Sequence, residues 1–170
     1  MAWHRVVWLG SPGTGKSTCG LSYPGVEQHT FGSSEEATAA GMMGRSDVLP
    51  PVTMLWQETL TPEQQVKLLD PKTPELEIGL LTENARKNNL IRYRRYLRQL
   101  DADLRAGKRA EVKTVFLDNF TPFAEDFQDY IRWVYERDFL SEQGNFNSLR
   151  GSIYNKFFIQ ITLALTTMCW

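Results

Sequence analysis

Cysteine and histidine are scarce in this chain: Cys19 and Cys169, His4 and His29 are all it has in 170 residues. Two distant thiols build no disulfide framework, and no Cys or His pair stands at zinc-ligand spacing. A reducing, cytoplasmic setting is the expectation. Charge of one sign is missing too. Nineteen Lys and Arg face 20 Asp and Glu, a net charge of −1, so no global basic bias steers the chain toward nucleic acid. Long hydrophobic runs are absent. The most apolar stretch, 157–169, is short and holds Gln160. It cannot span a bilayer and reads as a core helix, so no membrane partner is expected. There is no internal repeat and no low-complexity segment.

The composition that remains is that of a globular protein, 42% apolar and 23% charged. The length predicts one domain over 1–170, large enough to bury roughly 70% of its unfolded surface. The charges are unevenly placed. Arg86, Lys87, Arg92, Arg94, Arg95, Arg98, Arg105, Lys108, Arg109 and Lys113 meet three acids over the same stretch, Asp101, Asp103 and Glu111. Residues 118–142 reverse this balance, with seven acids against Arg132 and Arg137.

The most specific feature is Gly10-Ser11-Pro12-Gly13-Thr14-Gly15-Lys16-Ser17, a full match to the P-loop pattern G-x-x-x-x-G-K-[ST]. It begins within ten residues of Met1, which argues against a signal peptide. Val6, Val7, Trp8 and Leu9 before it read as a buried strand over 4–9, and residues 15–22 as a helix. Gly10, Gly13 and Gly15 let the backbone wind with its N–H groups toward phosphate oxygens. The helix adds its positive end. On this pattern Gly10 to Thr18 bind the nucleotide, Lys16 reaches the β- and γ-phosphates, and the Ser17 hydroxyl ligates Mg²⁺.

Beyond Pro24-Gly25 the pattern predicts a strand at 26–31, placed on the other side of the first strand, and a short helix over 35–43. Residues 52–56 read as a short strand or irregular segment. Thr61 is an N-cap with Pro62 at the first helical position, for a helix to Leu69. Asp70 to Pro74 form a turn. A long helix is expected over 82–106, because Leu90, Tyr93, Leu97, Leu100 and Leu104 recur at steps of three and four. Residues 113–117 read as a buried parallel strand beside the first, with Asp118 at its carboxyl end. Helices over 121–140 and 148–166 follow. The first would turn Phe127, Tyr130, Ile131, Val134 and Tyr135 inward, the second Ile153, Phe157, Ile161 and Leu165.

Val115-Phe116-Leu117-Asp118 reads as a Walker B strand whose carboxylate holds Mg²⁺; the alternative is that Asp118 caps the next helix. Asn119 follows, where many ATPases carry a Glu, and Asn is no general base. Glu35 and Glu36, after the second strand, are the candidate catalytic acids; alternatively they are solvated carboxylates favoured by a helix dipole. The arginines of 92–109 either track a phosphate backbone or form a solvated helix face. Tyr93 lies on the apolar stripe and reads as core.

The order of these pieces resembles the RecA-like ATP-binding proteins encoded by many bacteriophages, including those associated with single-strand annealing and recombination. The specific residues are those at 10–18 and 113–121. The resemblance implies an α/β P-loop NTPase fold, a RecA-like parallel sheet with helices on both faces and a helical insertion over approximately 57–110. It implies ATP and Mg²⁺ as cofactors, Lys16 and Ser17 at the phosphates, Asp118 as Walker B, and Glu35 or Glu36 as the acid after the second core strand. Single-stranded DNA and further copies of the chain are the implied partners, and the host-cell cytoplasm the implied location. Such cores continue with further strands, so a core truncated or divergent at its C-terminus is expected. Other readings are a nucleotide-binding module without turnover, a small-molecule P-loop kinase, and an AAA+ ATPase.

Overall fold

The computed structural model describes residues 14–31, 45–118 and 120–139. The expected strand at 4–9, the helix at 35–43 and the helix at 148–166 lie outside them. The chain divides into two compact units, one of Met1–Leu55 with Arg98–Pro122, the other of Trp56–Leu97 with Phe123–Trp170.

The first unit is built on a parallel sheet. Helix α1 (Lys16–Leu21) ends at Ser22, one residue before Tyr23-Pro24-Gly25, and the chain turns into β1 (Val26–Thr30). β2 (Val52–Thr53) pairs with β1 at His29 and Thr30. β3 (Thr114–Leu117) pairs with it from Val26 to His29. Both pairings are parallel and the order is β2-β1-β3, which makes the architecture α/β. The Leu49 amide donates to the Val26 carbonyl at 2.9 Å and the Met54 amide to the Thr30 carbonyl at 2.7 Å. Both edges of β1 are therefore occupied by described segments.

All five residues of β1 are buried, although four of them are polar. Alternation along the strand puts Val26, Gln28 and Thr30 on one face, and Glu27 and His29 on the other. Register places Phe116 with Gln28. Leu21, Val26 and Phe116 form the core beneath α1, with Val48 against them. Val115, on the opposite face, is 41% exposed, so β3 is not the wholly buried strand that its apolar run suggests.

The approach of α1 is close. A Cβ on Gly20 would overlap the Phe116 ring. Helix propensity alone favours Ala over Gly by about 1 kcal/mol. The overlap reverses the sign, so Gly20→Val should lower unfolding free energy by about 1–3 kcal/mol, the usual range for overpacking. Urea denaturation checks it, and a variant as stable as the parent refutes the close contact.

The second unit is helical. α2 (Pro62–Leu69) opens with a full capping box: Thr61 Oγ1 accepts from the Gln64 amide at 3.3 Å, and Gln64 Oε1 from the Thr61 amide at 2.9 Å. α3 (Glu75–Arg105), whose last turns from Arg98 belong to the first unit, starts seven residues before the expected Thr82. Glu75 and Glu77 favour the positive end of the helix, and the Pro74 carbonyl accepts from the amides of Glu77 and Ile78. These local terms outweigh the helix-weakening Gly79. Leu90, Tyr93, Leu97 and Leu100 are buried as the stripe predicts, while Leu104 is half-buried. α4 (Phe120–Phe139) contributes Phe123 and Phe127. The Tyr93 and Phe123 rings meet edge to face with centroids 6.1 Å apart.

Candidate functional site

Of the glycine-rich Gly10–Thr18 motif, Thr14 to Thr18 are described; Gly10, Ser11, Pro12 and Gly13 lie outside the described residues, as do Glu35 and Glu36. Gly15 is the N-cap of α1 and adopts φ 79°, ψ 17°, the left-handed region that a side chain disfavours. No side chain caps the helix. Its first bond runs from the Cys19 amide to the Gly15 carbonyl at 2.8 Å. Lys16 Nζ donates to Thr14 Oγ1 at 3.3 Å, folding the ammonium back over the loop. Lys16 and Ser17 are half-buried and Thr18 is exposed.

Asp118 stands at the carboxyl end of β3, where its amide donates to the His29 carbonyl at 2.9 Å. Its carboxylate accepts from Gln28 Nε2 at 3.2 Å. Gln28 is fully buried on the α1 face of the sheet, which gives Asp118 the same face. α1 packs Leu21 near the start of β1 and Gly20 over Phe116, further along the sheet. Its Lys16 end therefore runs toward the carboxyl ends of the strands. Helix α1 and Asp118 thus share one face of the sheet.

Sequence reasoning missed Gln28, because a Val-Glu-Gln-His-Thr strand carries no apolar alternation to mark it as buried. It also missed a polar cluster on the opposite face. Arg109 Nη2 donates to Glu27 Oε2, and Arg109 Nε donates to Glu111 at 2.6 Å. His29 Nε2 donates to the other Glu27 oxygen at 2.9 Å. Glu27 is thereby held between a guanidinium and an imidazole, as a buried carboxylate requires.

The second unit holds another buried acid. Asp126, 3% exposed, accepts from Asn89 Nδ2 at 2.7 Å. Arg86 Nη1 lies 3.2 Å from Glu125 and 3.8 Å from Asp129, and its Nε 4.0 Å from Asp126. Burial pushes the Asp126 carboxyl up to about 7, against the opposing pull of Asn89 and Arg86.

The basic stretch is sorted by the structure. Arg92 pairs with Glu58 at 2.7 Å and Arg105 with Asp101 at 3.0 Å. Lys87 is nearly buried, 5.6 Å from the Trp133 ring centre. Arg94, Arg95, Arg98 and Lys108 are exposed.

No group of three or more His, Cys, Asp or Glu is placed to hold a metal among the described residues. Among them, too, no helix is long and apolar enough to cross a membrane. Comparison with protein-family models, with curated proteins and with solved structures finds no match to this chain.

Proposed function

We propose that the chain is a Mg²⁺-dependent ATP-binding protein of the RecA-like P-loop type, hydrolysing ATP in DNA recombination, replication or repair as an assembly of several copies. One observation carries the reading: a complete Gly10–Ser17 motif whose last glycine is left-handed and whose lysine opens a helix on a parallel sheet. The first amides of α1, which follow the left-handed Gly15, have no intrahelical acceptors. Those amides and Lys16 would bind the phosphates. Lys16 would withdraw negative charge from the bond that breaks, and positioning plus electrostatics would supply most of the rate.

The donor set suits Mg²⁺. Ser17 and Asp118 would offer hard oxygens, and this ion takes few protein ligands, keeping waters and phosphate oxygens. Mg²⁺ when bound neutralises phosphate charge. Gln28 would orient the Asp118 carboxylate toward that role. Glu35 and Glu36 stand as the acids that would take the proton of the attacking water.

Asn119 favours a second reading, a nucleotide-binding module without turnover, since the residue after Asp118 cannot serve as a base. Phosphate release from Mg-ATP, with and without single-stranded DNA, decides between them, with equilibrium ATP binding measured alongside. The expected result is turnover that rises with DNA and falls to background in Lys16→Ala, with ATP binding weakened at least about tenfold, the loss of one charge-assisted contact. Binding without release establishes the module. No binding refutes both.

A further inference from the structure

We infer that Arg94, Arg95 and Arg98, on the exposed side of α3, bind the phosphate backbone of single-stranded nucleic acid. The inference deepens the proposed function, on which it rests for the choice of DNA as the partner.

From Asn84 to Leu100 the chain has no acid and six basic residues. The structure gives three of the six a partner: Arg86 meets Glu125, Lys87 meets Glu83 and Trp133, and Arg92 meets Glu58. Arg94, Arg95 and Arg98 are exposed and have no acid partner among the described residues. Their arrangement follows from the helix itself. Arg94 and Arg98 stand one turn apart on one side, with a rise of about 6 Å between them, and Arg95 lies about 100° round. The stripe of Leu90, Tyr93, Leu97 and Leu100 is buried; Arg95 lies opposite it and Arg94 and Arg98 flank it.

Three adjacent guanidinium groups without acids repel one another, and a polyanion relieves that repulsion. Guanidinium forks match phosphate oxygens in pairs, which a diffuse counterion cloud does not exploit. A membrane surface fits less well. Among the described residues the exposed large apolar side chains are Tyr23, Val66, Leu69, Leu76, Leu80 and Val115, and none lies in 90–100. A helix that lies on a bilayer offers its apolar face to the lipid, and here that face is buried.

The test is fluorescence anisotropy of a labelled 20-nucleotide oligo-dT against the full chain, without nucleotide, over a salt series. Each phosphate contact on a single strand contributes about −0.7 to the slope of log K against log salt. Converting all three arginines to Gln should reduce the slope by about 2, and the affinity at 0.1 M salt by about 100-fold. Gln keeps the helix propensity of Arg, so folding is retained, which circular dichroism checks. Converting all three to Lys should keep the slope, since the slope counts charges. Four results overturn the inference: an unchanged slope in the Gln variant, no oligonucleotide binding by the parent, an equal loss in Lys67→Gln/Lys72→Gln, or a preference for anionic phosphatidylserine vesicles over oligo-dT. Phosphate release on the same samples separates the two readings. Loss of oligonucleotide binding with Lys16-dependent turnover retained supports this surface. A salt-dependent, arginine-dependent complex without ATP binding supports it while sinking the nucleotide reading.

Discussion

Asp126→Asn is expected to remove most of a pH dependence that spans about pH 4 to 7.5 and amounts to about 4 kcal/mol. The native carboxyl titrates near 7 because it is buried, whereas in the unfolded chain it titrates near its ordinary 3.8. Between those values the native state holds a proton that the unfolded state has released. Stability contributed by this group therefore falls as pH rises through the window. Below it both states are protonated and nothing is lost; above it both are ionised and the full penalty is present. Three pK units correspond to about 4 kcal/mol, an upper figure because Arg86 lies close enough to offset part of it. Asn is the neutral isostere and still accepts from Asn89. Urea denaturation of parent and variant from pH 4.5 to 8.5 checks the result. The variant should gain relative to the parent as pH rises, and parallel profiles would show that Asp126 is not held protonated.

Arg109→Met should destabilise the first unit by about 3 kcal/mol. The physical term is not the ion pair itself but what its loss leaves behind. Glu27 is 2% exposed and would lose its guanidinium partner while His29 stays beside it. Breaking a buried pair by removing one partner costs about 3–5 kcal/mol, and the lower end applies because the Arg109 side chain is 31% exposed. Glu27→Gln removes the charge that needs compensation. In the background of that change, Arg109→Met should cost about 2 kcal/mol less than it does alone. A double-mutant cycle in urea measures the coupling. Additivity to within about 0.5 kcal/mol would mean that the contact contributes nothing beyond its separate parts.

Much of the local structure was legible before the fold was known. Thr61-Pro62 announced α2 because an N-cap side chain and a proline at the first helical position act within four residues. The stripe of Leu90, Tyr93, Leu97 and Leu100 announced α3 because burial on one side of a helix imposes its own period. Its start was misplaced, since first-turn glutamates act more weakly than a run of apolar contacts. Val115 was read as buried from the apolar run alone, and a run does not say which face a neighbour covers. The strand expected at 26–31 follows the Pro24-Gly25 turn, but its polar residues concealed that it lies between two other strands, β2 and β3.

What the amino-acid sequence by itself determined is the set of local signals: the Gly10–Ser17 motif, the helix caps, the apolar stripe and the acid at the end of the 114–117 strand. Each depends on residues a few positions apart, so the chain spells it out. What only the tertiary structure decided is which polar groups share a partner. Gln28 and Asp118 are 90 residues apart, Glu27 and Arg109 82, and Asn89 and Asp126 37. A buried polar side chain is tolerated only when a partner reaches it. That partner is supplied by the packing of distant elements, and no spacing within the chain encodes it.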